Sequence, residues 1–191
     1  MEPNPEVRAF LLNRRSRPAK TLTGPPPDRD ALRTLLTAAA RSPDHGKLEP
    51  WRFIVIEGEG LHRVSEMARD RGEALGLDPS TIEKARTAFA DSPLVVAVVS
   101  SPKPSEKIPQ VEQTLSAGAV CLALLNMALA SGWGANWLTS WLALDREFLT
   151  TALALEAHEF VAGFVHIGTP TSDPPERPRP DMNTIVSWVS R

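Results

Sequence analysis

Two short runs of cationic side chains follow predicted helices, and their residue types could bind an anion. Arg14, Arg15 and Ser16 follow a first helix, and Arg41 and His45 follow a second. Guanidinium groups bind phosphate through paired hydrogen bonds, and a serine hydroxyl adds a neutral donor. A charged helix end is more often simply solvated, so each residue alone is weak evidence. Together they indicate an anion site, while the nearby Lys47 and Arg52 are expected to be solvated.

The tryptophans point to a planar ligand. The chain has five tryptophans and no tyrosine. Trp51 and Trp137 lie at the ends of apolar runs, where indole rings often bound planar ligands. Ordinary core packing is the alternative for each of them. Arginines beside aromatic and glycine-rich walls match a planar aromatic phosphate ester.

Other familiar sites are not supported. The run EGEGLHR resembles half of a dinucleotide-binding motif, but Arg63 takes the place of the third glycine, so a turn is predicted. The four histidines have no familiar metal-ligand spacing, and the single cysteine, Cys121, lies in an apolar run. The sequence therefore predicts neither a metal site nor a cysteine nucleophile.

Composition bounds the class of protein. The 191 residues are 42% hydrophobic and 23% charged, as expected for one globular domain. A formal net charge of -2 gives no basic surface for nucleic acid or an anionic membrane. One cysteine cannot form an internal disulfide, and the N-terminal sequence lacks the basic start and apolar run of a signal peptide. A cytoplasmic location is expected.

Periodicity predicts the elements that would position these residues. A continuous apolar run over residues 93–100 predicts an inner strand at the centre of a sheet. Shorter strands are predicted at residues 51–57, 133–137 and 159–168. Helical spacing predicts helices at residues 5–15, 31–41, 61–75, 81–89, 110–130 and 145–155.

The helix predicted at 110–130 is apolar on all sides. Its apolar run, residues 115–130, is shorter than the roughly 20 residues that cross a bilayer. A helix that is apolar all round requires cover on every side. It is therefore expected at the centre of the domain or at a subunit interface.

The C-terminal part has a different character. Residues 169–180 include five prolines, which prevent a regular element. Residues 182–189 beyond them have a strand-like composition. The residues alone leave two alternatives open: a tail that folds back on its own sheet, or one that reaches another subunit.

Five sequence blocks, taken in order, resemble the nitroreductase family of flavoenzymes, in particular its short NAD(P)H nitroreductases. The blocks are RRSxR, RSPDHGKLEPWRFIVIEGEG, EQTLSAGAVCLALLNMA, GWGANW and GFVHIGTP. The resemblance covers nearly the whole chain. It implies an α+β fold with a central, mainly antiparallel sheet flanked by helices. It also implies a homodimer with FMN at the subunit interface. Residues 1–191 would form a single domain, in which the extension 171–191 reaches the partner and exchanges a C-terminal strand.

The resemblance also implies which residues contact the cofactor: Arg14, Arg15, Ser16, Arg41, His45, Trp137, Leu138 and Thr139. The first three would hold the phosphate and ribityl chain, the next two would lie near the polar edge of the flavin, and the last three would form a wall. Some relatives have Trp-Arg-Ser in that wall, so Leu138 replaces a cation here. Arg177 and Arg179 are further candidates for the phosphate, but they match no block.

The activity implied is that of an FMN-dependent oxidoreductase with NAD(P)H as co-substrate. Its electron acceptors would be nitroaromatic, quinone or similar electron-poor small molecules, reduced by a ping-pong mechanism. Because a flavin carries such chemistry, no catalytic acid, base or nucleophile is assigned. The alternative is a flavin-binding or flavin-sequestering protein with little turnover. The sequence selects neither NADH nor NADPH, and it does not identify the physiological acceptor.

Overall fold

One antiparallel sheet organises the protein, in a computed structural model that describes residues 2–190. Within that range it has five strands: β1 Leu22–Thr23, β2 Trp51–Ile56, β3 Val95–Ser100, β4 Gly134–Leu138 and β5 Phe160–Pro170. Every strand pair is antiparallel. With its flanking helices the sheet makes an α+β fold, as predicted.

The centre of the sheet is β5, not β3 as predicted. β5 pairs with β1, β3 and β4, whereas β3 lies between β2 and β5. β3 is nonetheless an inner strand, and all six of its residues are buried. The apolar run of β3 indicates burial on both faces, but it does not indicate how many strands pair with it. β5 pairs with three strands because it is longer.

Helices cover both faces of the sheet. In chain order the helices are α1 Pro5–Asn13, α2 Arg29–Ala39, α3 Glu59–Ala74, α4 Pro79–Ala90, α5 Gln110–Ala130, α6 Arg146–Leu153 and α7 Met182–Ile185. On one face, α2 and α5 pack with β3 and β5 in a core that includes Leu35, Leu124 and Val165. On the other face, α3, α4 and α6 pack in a second core that includes Phe89, Phe148 and Phe164.

Aspartates fix where three of the helices that cover the sheet begin. Asp28, Asp78 and Asp145 each accept a hydrogen bond from a backbone N–H in the first turn of α2, α4 and α6. Such caps satisfy donors that have no partner inside the helix. Asp145 also pairs with Arg71 of α3 at 2.9 Å, and that guanidinium lowers the pKa of the carboxyl group. The same residue therefore starts α6 and joins it to α3.

The long helix α5 has two contrasting sides. Its inner side, which includes Val120, Cys121 and Leu124, is fully buried in the core. Its outer side exposes Val111 and Leu115, at 62% and 67%. At 21 residues it is the one helix in the described range long and apolar enough to cross a membrane, but its inner side packs against the sheet. In this single chain the outer side lacks the cover that the sequence predicts.

The C-terminal tail differs from its prediction. Residues 182–185 form the short helix α7, and no strand occurs between residues 171 and 190. Asp181 caps α7 by accepting a hydrogen bond from the N–H of Asn183 at 2.9 Å. Apolar side chains of the tail remain exposed, with Trp188 at 89%. The strand-like composition thus finds no sheet edge within its own chain, and a capped turn forms instead.

Candidate functional site

The segment after α1 is held against the start of β4. Arg17 donates its N–H to the carbonyl of Ala135 at 2.9 Å, and Asn136 donates its side-chain amide to the carbonyl of Arg17 at 2.8 Å. The backbone N–H of Arg14 closes the last turn of α1 on Phe10. These contacts fix the backbone on either side of Ser16, so the predicted phosphate residues leave the helix in one defined direction.

Arg14, Arg15 and Ser16 line a cavity of about 460 Å³, here called the arginine cavity. Its other lining residues all come from the tail: Arg177, Pro178, Arg179 and Pro180. The tail is tied to this place, because Arg15 donates to the carbonyl of Pro175 at 2.7 Å and Arg179 donates to that of Leu12 at 2.8 Å. The structure therefore brings the two tail arginines, which match no sequence block, beside the three predicted phosphate residues.

The donors of the arginine cavity match an anionic ligand. Four guanidinium groups line it, and no carboxylate does so among the described residues. Arg14 donates to Ser16 Oγ at 3.2 Å, while its buried Nε has no hydrogen-bond partner among residues 2–190. Glu176, just outside, pairs with Arg179 at 3.1 Å. A phosphate could accept hydrogen bonds from several of these donors, which is the geometry that arginines favour.

Trp137, Leu138 and Thr139 line a separate and mainly apolar cavity of about 500 Å³, here called the ring cavity. It lies between α4, the end of β4 and the middle of β5. Its remaining lining residues are Thr81, Lys84, Ala85, Ala88, Phe89, Ser140, Trp141, Phe164 and His166. Phe89 and Phe164 pack edge to face, with ring centroids 5.2 Å apart. Lys84 is the only charged residue among those described in this lining. The shape and polarity match a planar aromatic ligand.

Trp137 is positioned by a close approach to β5. Its indole Nε1 donates to the carbonyl of Ala162 at 3.2 Å. A Cβ added to Gly163 would lie 1.9 Å from that nitrogen, so no side chain fits there. The absent side chain of Gly163 is therefore what allows the indole to lie across the strand.

His166 contributes a buried polar group to the ring cavity. The residue is 1% exposed, and its Nδ1 lies 3.1 Å from Ser92 Oγ. Burial disfavours the charged imidazolium and lowers the pKa of His166 to about 4. The side chain is therefore neutral at neutral pH.

A smaller cavity of about 210 Å³ adjoins the ring cavity, with which it shares Lys84 and Ala88. It also includes Ala19 and Lys20, which follow closely after Ser16 in the chain. Among the described residues, it shares no lining residue with the arginine cavity. The segment that follows the arginine cavity along the chain therefore leads to a cavity beside the ring cavity.

Arg41 and His45 lie apart from both cavities. Arg41 is exposed at the end of α2, and His45 Nδ1 pairs with Glu112 of α5 at 2.7 Å. The loop between them is fixed to α5, because Ser116 donates to the carbonyl of Pro43 at 2.8 Å. Within one chain, this predicted pair does not join the other six predicted residues.

The sequence does not single out Lys84, His166 or Ser92 as candidates. Lys84 is one of several charged residues on α4, and His166 looks like any polar residue in a strand. Packing of α4 over β5 brings them together, and no local pattern signals that contact. Among residues 2–190, no group of three His, Cys, Asp or Glu side chains could hold a metal ion.

Sequence comparison gives a consistent result. Residues 11–169 match the Nitroreductase family. The Escherichia coli (strain K12) protein named "Putative NAD(P)H nitroreductase YdjA" is 37% identical over 161 residues, which cover 84% of this chain and 86% of that protein.

Solved structures agree at the level of the fold. A nitroreductase-like family protein from Bacillus cereus superimposes with a TM-score of 0.82 at 20% identity, covering 99% of this chain and 98% of that one. A mutant of the FMN and NADPH-dependent nitroreductase NfnB from Sphigopyxis sp. strain HMH gives a TM-score of 0.73 at 19% identity, covering 95% and 98%. With its fold, its family match and its similarity to YdjA in agreement, this chain belongs to the nitroreductase family.

Proposed function

We propose that the protein is an FMN-dependent oxidoreductase that uses NAD(P)H to reduce nitroaromatic, quinone or similar electron-poor small molecules. The observation that carries this proposal is that a chain of the nitroreductase family has a cavity lined by four arginines and a separate, mainly apolar cavity lined by Trp137, Leu138 and Thr139. FMN has a phosphate at one end and a planar ring system at the other. The names of the relatives support the cofactor and the co-substrate, since NfnB is called FMN and NADPH-dependent and YdjA an NAD(P)H nitroreductase.

The residues present fit the cofactor. Arg14, Arg15 and Ser16 would hold the phosphate, assisted by Arg177 and Arg179, because these groups offer hydrogen-bond donors without a competing carboxylate in the cavity. The buried Nε of Arg14, which has no partner among the described residues, is consistent with a cavity built for an anion.

The ring cavity would hold the planar part. Trp137, Leu138 and Thr139 would bound the ring, and Lys84 would offer a positive charge at its edge. FMN, when bound, supplies the hydride chemistry, with NAD(P)H and the electron acceptor reacting in turn. The task of the chain is to orient the ring, to exclude water from one of its edges, and to stabilise negative charge through Lys84. No protein acid, base or nucleophile is assigned.

The proposal includes a homodimer. The outer side of α5 exposes Val111 and Leu115, and the tail exposes Trp188. Contiguous apolar patches exposed on a single chain often mark a protein–protein interface. A second copy that covers α5 and receives the tail would bury them, and Arg41 and His45 of one subunit would then reach the FMN of the other. Isologous pairing of this kind is the commonest symmetry among soluble oligomers.

The decisive experiment uses flavin absorbance. Purified protein is incubated with FMN, desalted and titrated anaerobically with NADH or NADPH. We expect a yellow protein that either nucleotide bleaches and that an added quinone reoxidises. A protein that stays colourless would overturn the proposal, and a yellow protein that neither nucleotide bleaches would indicate flavin binding or sequestration without turnover.

The dimer has its own test. A chain ending before Pro174 lacks the tail arginines and Trp188. We expect it to bind FMN more weakly and to dissociate at higher concentration in sedimentation experiments. Substitution of Leu115 by Glu, on the outer side of α5, should weaken the dimer without removing an arginine. A truncated protein with unchanged mass and FMN affinity would contradict exchange of the tail.

A further inference from the structure

The hydrogen bonds around His166 determine which ring nitrogen carries its proton. Ser92 Oγ lies 3.2 Å from the carbonyl of Leu94, to which it donates. A hydroxyl has only one proton to donate, so the same oxygen must accept in its 3.1 Å contact with His166 Nδ1. Nδ1 therefore carries the hydrogen. This network assigns the tautomer of the neutral imidazole, and it leaves Nε2 as an unprotonated acceptor.

The acceptor Nε2 is available to a ligand. His166 lines the ring cavity but Ser92 does not, so the imidazole edge turned toward the cavity is the one remote from Nδ1. No residue within the described range forms a hydrogen bond with Nε2. Burial keeps the imidazole neutral at neutral pH, with its pKa near 4. An acceptor that lines a cavity and has no protein partner can take a hydrogen bond from a ligand that brings a donor.

We propose that His166 Nε2 accepts the hydrogen bond of the ring N–H of the flavin, and thereby selects which edge of the ring enters the ring cavity. This inference rests on the proposed function. The oxidised isoalloxazine has a single ring N–H, at N3, between two carbonyl groups. A wall that offers an acceptor beside the cationic donor Lys84 matches this pyrimidine edge. The dimethylbenzene edge has neither a donor nor an acceptor.

The contact explains a polar residue in an otherwise apolar place. The ring centroids of Phe89 and His166 lie 6.0 Å apart, and Phe164 packs against Phe89. A phenyl group would therefore match this position in size and polarity. A histidine whose tautomer is fixed by Ser92 adds what phenylalanine lacks, an acceptor at one defined point. His166 is thus a cofactor-recognition residue, and Ser92 is a positioning residue that acts through it.

The first measurement reads the flavin directly. FMN labelled with ¹⁵N at N3 is bound to the wild type and to His166→Phe and His166→Gln variants, and the N3 and H3 resonances are recorded. We expect the hydrogen-bonded shift in the wild type, its loss in His166→Phe, and its partial return in His166→Gln, whose side-chain oxygen can accept. An N3 resonance identical in the wild type and His166→Phe would overturn the inference.

The second measurement is binding of FMN and of N3-methyl FMN by fluorescence quenching. Loss of one neutral hydrogen bond corresponds to about a tenfold change in affinity. We expect the wild type to bind the methylated flavin about tenfold more weakly than FMN, and His166→Phe to bind the two alike. Equal discrimination in both proteins would contradict the contact. If the wild type binds no FMN at all, the proposed function itself is wrong, so the two failures are distinguishable.

Ser92→Ala provides a variant that leaves the imidazole in place. Without the serine acceptor, the neutral ring is free to carry its proton on Nε2, which cannot accept. We expect an intermediate N3 shift and an intermediate loss of discrimination, with the fold checked by circular dichroism. Should His166→Phe fail to fold, this variant decides the question: wild-type N3 resonances in Ser92→Ala would overturn the assignment.

Discussion

The arginine cavity and the ring cavity are built in opposite ways. The first is lined by charged side chains from the exit of α1 and from an exposed, proline-rich tail, joined by contacts such as Arg15 to the carbonyl of Pro175 at 2.7 Å. The second is lined by side chains of the protein core, including Phe89, Phe164 and His166. Changes in the arginine cavity should therefore alter ligand affinity with little effect on folding. Changes in the ring cavity should alter stability as well.

The largest effect is expected from lowering the pH, which should reduce the stability of the protein through His166 in the ring cavity. The pKa of His166 is about 4 in the folded protein, below the ordinary 6.5, so the unfolded chain binds more protons in that interval. The stability that neutral His166 contributes is thus fully present above pH 6.5 and is lost as the pH falls toward 4. Between pH 7.5 and 4.5 we expect a loss of about 2–3 kcal/mol in the free energy of unfolding, measured with urea.

The matched control is His166→Phe, which removes this titration. Its free energy of unfolding should change much less over the same interval. Below pH 4.5 a second effect begins, because Arg52 holds the pKa of the buried Glu159 at about 2 and protonation of that carboxyl breaks their pair. Equal pH dependence of the wild type and the variant above pH 4.5 would show that His166 is not responsible.

Gly163→Ala should disturb the ring cavity by crowding. The new Cβ would lie 1.9 Å from Trp137 Nε1, so the indole must move and lose its bond to Ala162. We expect a loss of about 2 kcal/mol in the free energy of unfolding, typical of overpacking. Gly60→Ala is the control, since its nearest neighbour would be 3.7 Å away. If both variants unfold at the same urea concentration, the close approach does not constrain the fold.

Arg14→Ala should affect binding and not folding. Removal of a charged hydrogen-bond donor is expected to weaken FMN binding about tenfold or more, with an effect that decreases as salt is added. Riboflavin, which lacks the phosphate, should bind the variant and the wild type alike. Arg33→Ala, an exposed arginine of α2, serves as control. An equal loss for riboflavin and FMN would place Arg14 outside the phosphate site.

The smallest effect concerns the two tail arginines. Arg179 is already bound to the carbonyl of Leu12 and to Glu176, whereas the guanidinium of Arg177 has no hydrogen bond to any described residue. We expect Arg177→Ala to reduce FMN affinity about threefold to tenfold and Arg179→Ala to reduce it less. Calorimetric titration of both variants with FMN makes the comparison. A larger loss of FMN affinity in Arg179→Ala than in Arg177→Ala would assign the phosphate contact to Arg179.

Much of the fold could be predicted from local sequence. The aspartates before α2, α4 and α6 cap helices as their positions indicate, and the apolar run of β3 is an inner strand. The central role of β5 could not be predicted in the same way, because it depends on pairing between distant strands. The tail shows a further limit, since a strand-like composition forms a strand only where an edge is available.

The candidate site likewise combines residues that are adjacent in sequence with residues that only packing brings together. Arg14, Arg15 and Ser16 follow one another in sequence, so a short motif is enough to predict them as phosphate-binding candidates. Lys84 and His166 are distant from each other in sequence and meet only through the packing of α4 over β5. Arg41 and His45 join neither cavity within one chain. Their predicted contact with FMN would require the proposed dimer, because packing within one subunit does not bring them to either cavity.

The joining of Arg14 and Arg15 to the tail has a consequence for biosynthesis. Arg15 and Pro175 are 160 positions apart, and the arginine cavity also needs Arg177 and Arg179. A ribosome would therefore have made almost all of the domain before the arginine cavity could form. On the proposed function, FMN would bind at this cavity only after the tail has been made, and it would then link two segments that are distant in sequence.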